Sequence, residues 1–144
     1  MTPDDAPGLS LVIPLYNEAE NLPVLAAEIR QALEPTARSW ECLFVDDGST
    51  DGSFEVLAAL AARDPTIRIL RHRRNAGQSA ALAAGFAAAR GVIVVTLDAD
   101  HVPRPELLER MMGYFSDDGV AVVQAPQHFY NRGFQHPRDH DDPL

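Results

Sequence analysis

Short apolar runs rich in β-branched residues recur along the chain at residues 9–15, 41–45, 66–70, 92–97 and 120–124, each of a length suited to a buried strand. Between them the apolar positions change period. Leu22, Leu25, Ala26, Ile29 and Leu33 repeat at helical intervals, and so do Phe54, Val56, Leu57 and Leu60. Residues 78–90 are rich in alanine and predict a third helix. Residues 105–115 predict a fourth, with Leu107, Leu108, Met111, Met112 and Phe115 at core-forming spacing and Pro105 in the first turn. Strand and helix thus alternate four times. That alternation predicts an α/β fold of parallel strands joined by right-handed crossovers, helices on both faces of the sheet, and ligands at the strands' carboxyl ends.

The polar residues follow the same logic. Loops leaving the carboxyl ends of the expected strands carry Pro14-Leu15-Tyr16-Asn17-Glu18, residues 46–53, residues 71–79 and Asp98-Ala99-Asp100-His101, so they predict one site on one rim. The opposite connections, residues 34–39 and 62–65, read as plain turns punctuated by proline. Residues 131–144 are polar, contain proline and lack periodicity, which predicts a tail that frays or continues into further sequence. The expected layout is a flexible N-terminus over residues 1–8, one domain over 9–130 and a polar tail over 131–144.

Composition narrows the function classes. At 144 residues, 46% hydrophobic and 23% charged, the chain is long enough for a single soluble domain with a real core. A net charge of −9 argues against a nucleic-acid partner, since phosphate backbones are gripped by basic patches. All twelve basic residues are arginine, which removes chemistry that needs a lysine amine, including Walker phosphate loops and Schiff bases. The single cysteine, Cys42, sits in an apolar run and reads as a buried structural thiol in a reducing compartment. No apolar run approaches the roughly 20 residues that span a bilayer, and the N-terminus is acidic where a signal peptide is basic. The expected location is therefore cytoplasmic, with membrane association only through sequence outside this chain.

Candidate chemistry centres on Asp98 and Asp100. They follow an apolar run at i, i+2, so on an extended backbone both carboxylates leave the same side. Such a pair supplies hard oxygen ligands for Mg2+ or Mn2+, although acidic pairs after strands also serve as turn and capping residues. Asp46 and Asp47 likewise suit an Asx turn ahead of a helix capped by Thr50 or Asp51. Gly77 allows close approach of backbone to a ligand, and the amides of the helix that follows can face an anion. Arg71, Arg73 and Arg74 add charge there, or form a solvated surface. His136 and His140 have helical metal spacing, but Pro137 between them favours a solvated tail.

Four motifs, Pro14-Leu15-Tyr16-Asn17-Glu18, Val45-Asp46-Asp47-Gly48-Ser49, Asn75-Ala76-Gly77-Gln78 and Asp98-Ala99-Asp100, resemble in order and spacing the family 2 nucleotide-sugar glycosyltransferases, over about residues 9–130. The resemblance implies a Rossmann-like GT-A fold, a three-layer αβα sandwich with a mostly parallel sheet. It also implies inverting, metal-dependent transfer from a nucleotide-diphospho-sugar. On the matching positions, Pro14, Tyr16, Glu18, Asp47, Gly77 and Asp98 would hold the nucleotide. Asp98 and Asp100 would hold Mg2+ or Mn2+, and Arg71, Arg74 and His101 would lie near the diphosphate. Tyr16 can equally close the edge of the core, and Glu18 can favour a helix N-terminus. A UDP-sugar is favoured by analogy over a GDP-sugar.

The acceptor divides the resemblance. Residues 74–82 are similar to enzymes that glycosylate a polyprenyl phosphate, whereas residues 98–103 and 123–131 are similar to processive, cellulose-synthase-like transferases that extend a glycan. The processive members' Thr-Glu-Asp base and Gln-x-x-Arg-Trp motif have no counterpart here, so no catalytic residue is identified. The expectation is a C-terminally truncated, donor-binding half of a longer transferase. A non-catalytic nucleotide-sugar binding module explains the same residues. A haloacid-dehalogenase-like phosphatase explains the aspartates but requires a downstream lysine.

Overall fold

The computed structural model describes residues 6–36, 38–99, 110–117 and 119–124. Four strands, β1 (Leu9–Leu15), β2 (Trp40–Asp46), β3 (Ile67–Arg71) and β4 (Ile93–Thr96), form a parallel sheet in the order β3-β2-β1-β4. Three helices connect them: α1 (Leu22–Leu33), α2 (Ser53–Ala61) and α3 (Gln78–Ala88). Short 3-10 turns lie at Glu34–Thr36 and Tyr114–Ser116, and residues 110–113 are helical.

All seven residues of β1 are buried, because the strand has a neighbour on either side and helices above and below. Its alternation sorts them between two cores. Leu9, Leu11, Ile13 and Leu15 pack with Leu22, Leu25, Ile29 and Leu33 of α1, Leu57 of α2 and Phe44 of β2. Val12 packs on the other face with Leu43, Val45 and Ala81 of α3. Each fully buried Leu or Ile contributes about 1.5–3 kcal/mol relative to exposure, so β1 anchors both layers. The expected αβα sandwich is present. On its second face the helix comes very close: a Cβ on Gly85 would lie 2.3 Å from Val12 Cγ1.

Two expectations are corrected or left aside. Residues 120–124 do not form a fifth strand; they are irregular, and Val122 is 85% exposed. Their β-branched content suits a pleated, half-buried surface, but without a ladder to a neighbouring strand it fixes nothing. The fourth helix is seen only over residues 110–113, where Met112 joins the α1-side core; residues 105–109 lie outside the described residues.

The strand order positions the site. From β1 the chain steps through β2 to β3, then returns through α3 to place β4 on the far side of β1. Connections therefore diverge in opposite directions between β1 and β4, the place where open α/β sheets leave a crevice at the carboxyl ends. Pro14 marks the same place. The Leu97 amide bonds the Val12 carbonyl, whereas the Asp47 amide bonds the Leu15 carbonyl. By strand alternation, the N–H that Pro14 lacks would face β4. Pairing of β1 with β4 runs only from Leu9↔Ile93 to Val12↔Thr96, so Pro14 sits where the two strands have already parted. A proline in a central strand is thereby accommodated without a lost ladder bond.

The opposite rim is closed by a buried polar cluster. Ser10 Oγ donates to Glu41 Oε1 at 2.7 Å, and Arg68 Nη1 donates to Glu41 Oε2 at 2.8 Å. The amides of Arg90 and Gly91 reach Glu41 Oε1 and Ser10 Oγ, at 2.9 and 2.7 Å, and pin the turn into β4. Every partner in this cluster is satisfied, as burial requires.

Candidate functional site

A pocket of about 330 Å3 opens at the crevice. Pro14, Leu15, Tyr16 and Glu18 line it from the end of β1, Asp47 from β2, Asn75, Gly77, Gln78 and Ala81 from the turn into α3, and Asp98 and Ala99 from β4. All six residues anticipated for nucleotide binding, Pro14, Tyr16, Glu18, Asp47, Gly77 and Asp98, are on this wall.

The loops that carry them are tied to one another. Asn17, in the left-handed region at φ 57°, has its amide bonded by Ser49 Oγ at 2.9 Å, and its own Oδ1 accepts from the Thr50 amide at 2.8 Å. The Glu18 amide donates to Ser53 Oγ at 2.9 Å, and the Ala19 amide to Asp51 Oδ2 at 3.1 Å. Asp51, rather than Thr50, takes the first amide of α2, with Gly52 left-handed between them. Gly48 is also left-handed, at φ 74°; a Cβ there would lie 2.6 Å from the carbonyl carbon of Arg74, so the two loops pack backbone on backbone.

The paired aspartates have different roles. Asp46 is fully buried and its Oδ1 accepts from the Ser49 amide at 2.8 Å, three residues on where an Asx turn would bond two residues on. Asp47 faces the pocket wall. Its Oδ1 accepts from His72 Nδ1 at 2.7 Å and the Ala76 amide at 2.9 Å, and its Oδ2 accepts from the Gly77 amide at 2.7 Å. Burial pushes this carboxyl up, but the Ala76 amide, His72 and the Gly77 amide outweigh it and hold Asp47 below the usual carboxylate range. Since the ionised carboxylate only accepts, His72 Nδ1 carries the proton.

Sequence reasoning missed two residues. The β2–β3 register pairs Asp46 with Arg71, and so sets Asp47 beside His72, a pairing that the sequence alone does not carry. Gln78 is the other: its Nε2 donates to Asp98 Oδ1 at 3.0 Å across the pocket. Arg71 and Arg74, in contrast, lie outside the lining. The Arg71 guanidinium sits 4.2 Å over the Phe54 ring with Nε 3.5 Å from Asp46 Oδ2, a cation–π and ion-pair arrangement that commits it to the β2 side. Asp100, His101, His136 and His140 lie outside the described residues.

The wall combines apolar Pro14, Leu15, Ala81 and Ala99 with a half-exposed aromatic ring, Tyr16, and three carboxylates, Glu18, Asp47 and Asp98. Such a surface is suited to a flat ring and hydroxyl donors. An anion beside Asp98 requires a cation between them, and the carboxylate is a hard donor suited to Mg2+ or Mn2+. Among the described residues no group of three or more His, Cys, Asp or Glu side chains gathers as a metal site. Cys42 is buried and its thiol is pushed far up by desolvation, so it is inert.

The family model described as Glycosyl transferase family 2 matches residues 10–143. The undecaprenyl-phosphate 4-deoxy-4-formamido-L-arabinose transferase of Pectobacterium atrosepticum is 44% identical over 126 residues, covering 85% of this chain and 38% of that protein. The transferase of the same name from Salmonella choleraesuis is 43% identical over 117 residues, covering 80% and 35%. The chain thus spans little more than a third of the length of these curated relatives. Among solved structures, a mannosyltransferase from Pyrobaculum calidifontis in complex with GDP-Man and Mn2+ superposes with a TM-score of 0.69 at 27% identity, over 80% of this chain and 34% of that one. S. aureus TarS 1-349 shares the fold, with a TM-score of 0.64 at 20% identity over 75% of this chain and 32% of that one.

Proposed function

The chain belongs to glycosyl transferase family 2, and from that premise we propose that it binds a nucleoside-diphospho-sugar in the crevice between β1 and β4. It would supply the donor-binding part of an inverting transferase whose acceptor is a polyprenyl phosphate. The observation that carries this reading is the convergence of Pro14, Tyr16, Glu18, Asp47, Gly77 and Asp98, from loops after all four strands, on one pocket at the switch point of the sheet.

In this reading Tyr16 and Glu18 receive the base and ribose, Asp47 shapes the wall, and Gly77 presents the first amides of α3 to the diphosphate. Asp98, which accepts from Gln78, would hold the cation together with Asp100, and His101 would serve the phosphates. Bound Mg2+ or Mn2+ supplies Lewis-acid neutralisation of the charge on the departing nucleoside diphosphate. A phosphate acceptor is already ionised and attacks without a general base, which agrees with relatives named for undecaprenyl phosphate. The mannosyltransferase with GDP-Man and Mn2+ supports a metal and keeps a GDP-sugar beside a UDP-sugar as donor. A lipid-linked acceptor places the reaction at a membrane surface, and we read its side as cytoplasmic. Among the described residues no helix is long and apolar enough to cross a membrane.

Calorimetric titration with UDP and with GDP, each with and without Mn2+, tests the proposal. Binding of one nucleotide only in the presence of the cation is expected, with Asp100→Ala abolishing that dependence. Equal affinity with and without Mn2+ would overturn the metal assignment. Release of nucleoside diphosphate from labelled donor in the presence of undecaprenyl phosphate separates a transferase from a module that only binds.

A further inference from the structure

We propose that His72 is a positioning residue of the donor pocket, acting through Asp47 to hold the Ala76 and Gly77 amides where the wall meets α3. The proposal rests on the donor reading above and adds to it a residue that lies outside the pocket lining.

Asp47 is only 3% exposed although it borders the pocket, and both of its oxygens are engaged. Three N–H groups converge on this carboxylate, two from the backbone at Ala76 and Gly77 and one from the His72 imidazole. They come from a single stretch of chain, residues 72–77, that leaves β3 and enters α3. The stretch ends in a backbone conformation that needs a reason to persist. Gly77 has φ 95° and ψ 158°, and a Cβ there would meet nothing within 4 Å, so neighbouring side chains do not wedge it in place. The Asp47 carboxylate supplies the reason, by bonding the two successive amides, of Ala76 and Gly77, that lead into it.

His72 completes that arrangement from the other end of the stretch. Its amide bonds the Asp46 carbonyl at 2.9 Å, which fixes its backbone against the end of β2, and its Nδ1–H then meets Asp47 Oδ1. The imidazole thereby sets the direction of the carboxylate, and the carboxylate sets the direction of the two amides. A hydrogen bond to a charged group inside a partly buried site is among the stronger ones, and breaking it leaves an acceptor incompletely satisfied. Without His72 the carboxylate keeps only the two amides that it is to direct, and the wall at the head of α3 loses its tie to the end of β2.

Two substitutions separate the hydrogen bond from the space the ring fills. H72N retains an N–H donor close to the position of Nδ1, whereas H72L retains bulk and has no donor. The full chain is titrated with UDP and GDP in Mn2+, and hydrogen exchange is followed at the Ala76 and Gly77 amides. H72L is expected to weaken nucleotide binding about tenfold and to speed exchange at both amides by a similar factor, with H72N restoring both to within about threefold of the parent. Thermal unfolding checks that the variants fold, and His72→Ala replaces H72L where that variant does not. Wild-type affinity and exchange in H72L, or equal defects in H72N and H72L, would overturn the proposal. Absence of any UDP or GDP binding by the parent chain would instead overturn the donor reading, while the exchange contrast between the two variants still decides the role of His72.

Discussion

Asp46 and Asp47 are adjacent and chemically identical, yet one closes a turn inside the fold and the other ties down the wall of the pocket. The sequence made both visible as acidic residues at a strand end. Which of them faced the pocket was legible from the family's motif, but the link to His72 was not, because it depends on the register of β2 and β3. The arginines were misleading for a similar reason: charge near a glycine-rich turn suggests an anion, whereas Arg71 is held by Phe54 and Asp46. The carboxylates also predict the acid limb of stability. Asp47, Glu41 and Asp64 are each held below the usual range against the upward push of burial: Asp47 by amides and His72, Glu41 by Ser10, Arg68 and the Arg90 amide, Asp64 by Thr66 and Arg30. The unfolded chain therefore binds their protons more readily. Their contribution is fully present above the unfolded values near 4 and is lost as pH falls through the folded ones. Denaturant midpoints measured from pH 7 down to 3 are expected to fall steeply at the acid end, and less steeply in Glu41→Gln. At Gly48, an alanine meets both a strained φ and the Arg74 backbone, so Gly48→Ala is expected to cost about 2 kcal/mol or more, read as a lowered Tm.

Elements with a clear period were legible at their boundaries. Residues 9–15 and the apolar stripe from Leu22 to Leu33 match β1 and α1, because the continuous apolar run of β1 is buried on both faces and the stripe of α1 buries the face that it defines. Residues 120–124 show the limit: a strand is a pairing, and the partner is not written in the segment. α3 shows another. Its alanines and glycine carry little amphipathic signal, and the helix gains its place by approaching the sheet where Gly85 leaves room above Val12 and Val45. Gly85→Val is expected to lower stability by about 1–3 kcal/mol through overpacking, with the urea midpoint reduced and the slope unchanged. The shift should also lift Gln78 from Asp98, so nucleotide affinity is expected to fall in the same variant, measured by calorimetry.

At the scale of the whole molecule, the α/β class and the rim that carries the site followed from alternation: the motif-bearing loops come after strands, and the sheet gathers those of the described residues on one rim. The strand order, and so the location of the crevice between β1 and β4, could not be read from alternation, since β4 can add to either side. A ligand held by all four loops joins parts of the chain far apart in sequence. UDP or GDP with Mn2+, at a hundred times its Kd, is therefore expected to stabilise the folded chain by about 2.7 kcal/mol, measured as a shift in denaturant midpoint, with no shift from Mn2+-free nucleotide. The parting of β1 and β4 beyond Val12 and Thr96 has a consequence for descent as well. Its width is set by the main chain and by a proline that offers no N–H for further pairing, so exchange of the side chains along its walls leaves the opening intact. On the donor reading proposed above, substitutions at Tyr16, Asn75 and Ala99 would change which nucleotide and sugar are accepted while the sheet beneath is inherited unchanged, so that a new specificity needs only the relining of an old cleft.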